Sequence, residues 1–208
     1  MIEEILPKSS AKLEILETIM SNPGINITGI IKKTKTSPNL VIQYINTLVD
    51  ANILKEERKG GTKKTHIRFL YPNLNQLGIK VFSLVETDKR IKFLKKYPEF
   101  KPICNQIIEL AQNKNIDFVL IFGSFARFVA EKDSDVDILI VSKNKDFENE
   151  LSDILITLNR EYSVKVVTES EFKENLKKKS LYQDILKNHV LVYGENTYLE
   201  IVKDWLKN

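Results

Sequence analysis

Two aspartates one residue apart stand at the head of the run Ser134-Asp135-Val136-Asp137-Ile138-Leu139-Ile140-Val141. Read as a strand, positions i and i+2 share a face, so the carboxylates of Asp135 and Asp137 converge side by side. Asp137 lies among Val136, Ile138, Leu139 and Ile140, where an ionised carboxylate is costly unless a positive charge meets it. A hard divalent cation is the natural compensating charge. Upstream, Asp117 to Phe122 reads as a buried strand that breaks at Gly123-Ser124 and continues through the helix-compatible Phe125-Ala126-Arg127-Phe128-Val129-Ala130. A glycine turn before a helix lets backbone N–H groups approach phosphates, and Mg²⁺ on adjacent aspartates can bridge nucleotide phosphate oxygens. Ser124 adds a hydroxyl to that set. Arg127 reads equally well as a phosphate contact or as a surface ion pair.

Gly-Ser, ten intervening residues, then Asp-X-Asp resembles the signature of the minimal nucleotidyltransferase family, within the DNA polymerase beta-like superfamily. The resemblance covers about residues 103–195 and implies a small mixed sheet flanked by helices. It also implies Asp135 and Asp137 as ligands of Mg²⁺, Gly123, Ser124 and Arg127 on the phosphates of an NTP (ATP foremost), and Asp135, Asp137 and Ser124 as the catalytic set. The expected reaction moves a nucleoside monophosphate to a hydroxyl of a partner protein, such as a toxin neutralised by adenylylation, or of a nucleic-acid end.

The same resemblance implies a third carboxylate on the next core strand, and here the sequence departs from it. That strand reads as Tyr162-Ser163-Val164-Lys165-Val166-Val167, with Lys165 where the acid is expected. A protonated lysine neither ligates Mg²⁺ nor accepts a proton. Glu161, Glu169 and Glu171 are near in sequence, but none takes the in-strand position. Two readings stand: transfer with a single metal, or a nucleotide sensor that binds without turnover.

The elements ahead of this segment suggest a second activity. Leu13, Ile15, Leu16, Ile19 and Met20 follow helical spacing until Asn22-Pro23-Gly24, and a short helix fits Ile27 to Lys33. Ser37-Pro38 then supplies an N-cap and a first-turn proline for a third helix running to about Asn52. Leu40, Val41, Tyr44, Ile45 and Leu48 form its apolar face, leaving Asn39, Gln43 and Asn46 where polar side chains can read base edges. Ile53 to Arg58 and Thr65 to Tyr71 are strand-like across the turn Lys59-Gly60-Gly61-Thr62. Three helices and a basic hairpin resemble the winged helix-turn-helix of transcription regulators, over about residues 8–72. The candidate DNA contacts are Ser37, Asn39, Gln43 and Asn46 with Arg58, Lys59, Lys63 and Lys64. One such unit per chain implies a homodimer on two half-sites.

Charge supports that division. Residues 1–72 hold 11 Lys/Arg against 7 Asp/Glu, whereas residues 73–208 hold 21 against 21, so the whole +4 excess lies at the N-terminal end. With 208 residues, 42% apolar and 29% charged, the chain has the composition of a globular protein and is neither disordered nor fibrous. One cysteine and the lack of a signal-peptide pattern suggest a cytoplasmic location, and no apolar run approaches the roughly 20 residues a membrane helix needs. The fold expected is a two-domain chain: an α+β winged helix over 1–72, a helical linker and candidate dimer seam over 73–102, and an α/β nucleotidyltransferase-like domain over 103–208. The alternative function is a DNA-binding regulator whose degenerate second domain binds nucleotide or mediates dimerisation. His66 and His189 lack zinc-ligand spacing, and Lys177-Lys178-Lys179 reads as a solvated helix face.

Overall fold

The computed structural model describes residues 2–60 and 66–206. The chain divides into two compact units. One comprises the described residues up to Val85 together with those from Val202 onward; the other runs from Glu86 to Ile201. Among the described residues, no helix is long and apolar enough to cross a membrane.

The first unit is a winged helix. Its elements are α1 (Ile2–Ile5), α2 (Ser10–Ser21), β1 (Ile25–Asn26), α3 (Ile27–Thr34), α4 (Pro38–Asp50), β2 (Leu54–Lys59) and β3 (Ile67–Pro72). Each main helix starts where a short polar side chain can satisfy an orphan N–H: Ser9 accepts from Lys12, Asn26 from Gly29 and Ser37 from Leu40. Lys35, in a left-handed conformation at φ 52°, turns the chain from α3 towards α4. Ile15, Leu16 and Ile19 of α2, Ile30 of α3, and Val41, Ile45 and Leu48 of α4 are fully buried, the stripe spacing that drives helices together. The strands form an antiparallel sheet in the order β1-β3-β2.

Helix α5 (Gln76–Lys96) runs through the boundary between the units, which falls between its residues Val85 and Glu86. Val81, Phe82, Val85 and Phe93 are buried along it, but Leu77, Leu84 and Ile91, seven residues apart, are 42%, 42% and 46% exposed.

The second unit continues through α6 (Phe100–Asn113), β4 (Phe118–Phe122), α7 (Gly123–Ala126), β5 (Val136–Val141), α8 (Glu148–Ile156), β6 (Tyr162–Val167), α9 (Glu169–Lys178), α10 (Ser180–Lys187), β7 (Val190–Tyr193) and α11 (Glu195–Val202). Its sheet is mixed, in the order β6-β5-β4-β7, with β5 parallel to β6 and the other pairs antiparallel. All five residues of β4 are buried, as expected of a strand covered on both faces. Val119, Ile121, Ile138 and Ile140 pack into one core with Ile103 and Ile107 of α6 and Leu151 and Leu155 of α8. Phe118 turns to the opposite face, its ring 5.2 Å from Phe172 and 5.4 Å from Tyr198.

Three local expectations change. The strand expected from Ser134 begins at Val136, so Asp135 stands just ahead of it. The helix expected through Ala130 stops at Ala126, because Phe128 at φ 61° turns its ring towards Phe93 and Tyr97, which hold it in the aromatic core with Phe125. The last helix spans Glu195–Val202 rather than Tyr198 to Trp205.

Candidate functional site

The tight turn between β4 and α7 and the start of β5 are held together by contact between their two key residues. Phe122 pairs with Asp137 across the antiparallel ladder, so Gly123 lies beside the Asp137 carboxylate. A Cβ on residue 123 would sit 2.2 Å from Asp137 Oδ2, and the residue has φ +73°. Both facts demand glycine at this position: there is no space for a side chain, and L-residues avoid that backbone conformation.

Around this contact lies a cavity of about 570 Å³. Gly123, Ser124, Arg127, Asp135 and Asp137 all line it, so the residues singled out in the two segments of sequence share one space. Lys165 lines it too. In the parallel β5–β6 register Asp137 is opposite Ser163 and Leu139 opposite Lys165. Paired residues of neighbouring strands project to the same face, so Lys165 shares a face with Asp137, two positions further along. Asp133 and, from α10, Leu181 and Asp184 complete the wall. Sequence reasoning missed these. Asp184 accepts an ion pair from Arg127 at 2.5 Å across 57 positions of chain, a separation that leaves no local pattern to find.

Burial pushes the Asp137 carboxyl above its ordinary pKa and the Asp135 charge adds to the rise, while Lys165 and Arg127 act against it. Asp184 shifts the other way: burial raises it, but hydrogen bonds from Arg127 and Asn188 outweigh this and hold it below its ordinary value. Two carboxylates sharing a cavity, one of them half-buried, suit a hard divalent cation that takes its other ligands from water and phosphate oxygens. Among the described residues, no group of three His, Cys, Asp or Glu forms a fuller metal cluster. Glu171 closes the capping box of α9 with Thr168, and Glu169 pairs with Lys173 at 2.6 Å, so neither belongs to the cavity wall. Glu161 lies outside it too, lining an adjoining cavity with Asp133 and Asp135.

On the winged helix, Asn39, Gln43 and Asn46 are exposed along one side of α4. Ser37 is exposed as well, with its hydroxyl engaged as the helix cap. Asn46 is not free-standing: Arg68 of β3 donates to its Oδ1 at 2.9 Å and also grips Glu56 of β2 at 2.5 Å. Glu56 further pairs with Arg58, and Glu57 with Lys59 at 2.6 Å, so hairpin acids partly offset its basic charge. Burial raises the Glu56 carboxyl, but its arginine partners prevail and hold it below the ordinary value. Lys63 and Lys64 lie outside the described residues.

His189, isolated in sequence, is buried. Its Nδ1 faces the Ile185 carbonyl at 2.7 Å and its Nε2 faces Glu86 Oε2 at 3.1 Å, while Lys89 donates to the other Glu86 oxygen at 3.0 Å. Glu86 is thus held between the Lys89 ammonium and the His189 ring in the core. Burial raises the Glu86 carboxyl, yet Lys89 and His189 together hold it well below the usual carboxylate range.

Comparison with known proteins gives two matching family models. One, described as polymerase beta nucleotidyltransferase, matches residues 105–198; the other, described as winged helix-turn-helix DNA-binding, matches residues 9–55. No match was found among curated proteins. A solved structure described as "Crystal structure of the toxin-antitoxin with AMP-PNP" is similar at 19% identity, covering 49% of this chain and 86% of that one, with a TM-score of 0.33.

Proposed function

We propose that this chain, in which a winged helix-turn-helix domain precedes a polymerase beta-type nucleotidyltransferase domain, is a DNA-associated nucleotidyltransferase of the cytoplasm. It transfers a nucleoside monophosphate from an NTP, ATP foremost, to a hydroxyl of a protein or nucleic acid. The observation that carries this reading is the shared cavity: Asp135 and Asp137 face the same 570 Å³ as Gly123, Ser124, Arg127 and Lys165.

In this reading Asp135 and Asp137 hold one Mg²⁺, which when bound offsets phosphate charge and orients the nucleotide. Ser124 donates its hydroxyl to a phosphate oxygen, and Gly123 leaves the backbone open to the ligand. The acceptor oxygen forms its bond to the α-phosphorus as the bond to pyrophosphate breaks. Pyrophosphate leaves with the electron pair, and the hydroxyl proton passes to water. Catalysis then rests on positioning and charge rather than on a protein base.

DNA contacts come from Asn39, Gln43 and Asn46 on α4 and from Arg58 and Lys59 on the hairpin. Two chains supply the two half-sites, and the exposed Leu77 and Leu84 of α5 offer apolar surface for the seam. The alternative, a regulator that senses nucleotide without turnover, is favoured by one observation: Lys165 in place of a third carboxylate. Incubation with Mg²⁺ and α-labelled NTPs, with and without lysate, separates the two. Label on a macromolecule with the wild type and not with Asp137→Asn supports transfer; no label beside Mg²⁺-dependent nucleotide binding supports the sensor.

A further inference from the structure

We propose that Lys165 is a nucleotide-binding residue that takes the place of a second divalent cation, so that the cavity binds one metal ion with its nucleoside triphosphate. This deepens the functional reading above and rests on it. Three observations carry it. First, Lys165 is fixed on a strand, and the β5–β6 register sets it on the face of Asp137 above Leu139, which is fully buried. Second, the other cation of the cavity, Arg127, is engaged by Asp184. Among the described residues Lys165 makes no ion pair or hydrogen bond and meets the Asp137 carboxylate only through space, so its ammonium is open to a ligand.

Third, the charges of the wall are matched to one ion. Four carboxylates, Asp133, Asp135, Asp137 and Asp184, face two cations, Arg127 and Lys165, leaving an excess of two negative charges. One divalent ion cancels that excess, and the triphosphate then enters a neutral cavity with an ammonium beside its oxygens. An acid at position 165 would double the excess and require a second ion.

The test counts ions and measures affinity with a non-hydrolysable α,β-methylene ATP and Mn²⁺. At saturating analogue, equilibrium dialysis is expected to give one bound Mn²⁺ per chain for the wild type and for Lys165→Gln, and two for Lys165→Asp. Calorimetry is expected to show the analogue binding Lys165→Gln about tenfold more weakly, the loss of one charge-assisted contact, and Lys165→Arg within threefold of wild type. Circular dichroism checks that each variant is folded. Two Mn²⁺ on the wild type, or unchanged affinity in Lys165→Gln, overturns this inference while leaving the nucleotide site intact. A folded wild type that binds no analogue with any divalent cation overturns the inference and the underlying functional reading together.

Discussion

Arg127 and Asp184 form an ion pair at 2.5 Å within the cavity wall, joining the segment after α7 to α10. The guanidinium that could meet phosphate oxygens is thus already held by a carboxylate, and an incoming nucleotide has to compete for it. Asp184→Asn removes the competing charge while keeping the hydrogen-bonding shape. Titration with Mn²⁺ and a triphosphate analogue is expected to show about two- to fivefold tighter binding, the scale of a partly exposed ion pair. Weaker binding would mean that Asp184 positions Arg127 for the ligand instead.

Gly123→Ala brings a Cβ within 2.2 Å of Asp137 Oδ2 at a backbone φ of +73°. Backbone strain and carboxylate displacement add, so thermal or urea unfolding should show a loss of about 2 kcal/mol, and Mn²⁺ binding should fall with it. A variant as stable as the wild type, with unaltered Mn²⁺ binding, would show that the turn is more plastic than its geometry indicates.

Glu86→Gln leaves Lys89 and His189 buried with no compensating carboxylate, a loss expected at about 3–5 kcal/mol in chemical denaturation. Because the folded Glu86 pKa is depressed, the unfolded chain binds the proton more readily. The contribution is fully present above the unfolded glutamate pKa of about 4.3 and disappears as pH falls towards the folded value. Wild-type stability should therefore fall more steeply with acid than that of Glu86→Gln.

Arg68→Ala unties Asn46 from the hairpin while removing a charge that Glu56 already neutralises. Binding to duplexes selected from a random pool should weaken and lose discrimination, with little change in salt dependence. Lys59, whose pair with Glu57 is far more exposed than that of Arg68 with Glu56, can exchange that partner for a phosphate, so Lys59→Ala should lower the salt slope by about one. Equal slopes in both variants would place the DNA surface away from the hairpin tip.

Strands β4, β6 and β7 were legible because each is a short apolar or alternating run with a sharp break, such as Gly123 after Phe122 and Gly194 after Tyr193. The two aspartates were legible because a carboxylate inside such a run contradicts its surroundings. What sequence could not show were partners distant along the chain. Asp184 and Lys187 look alike as polar positions of α10, yet only Asp184 lines the cavity. Charged positions of a helix ordinarily read as solvent-facing, which hid the burial of Glu86 and Lys89 on α5. On the same helix, apolar spacing alone did not tell core positions such as Phe82 and Val85 from Leu77 and Leu84, which are exposed.

The parallel pairing of β6 with β5 gives Lys165 a role during folding as well. A slip of one residue along β5 would exchange the faces of the whole strand, presenting Val164 or Val166 to the cavity and driving the Lys165 ammonium among Ile138, Ile140 and Leu151. Bringing that charge against an apolar face without a partner is costly, so the shifted register is disfavoured. The residue thus acts as a proofreader of alignment: a strand of valines alone could settle in either phase, whereas this one reaches a stable sheet only with its lysine facing the aspartates.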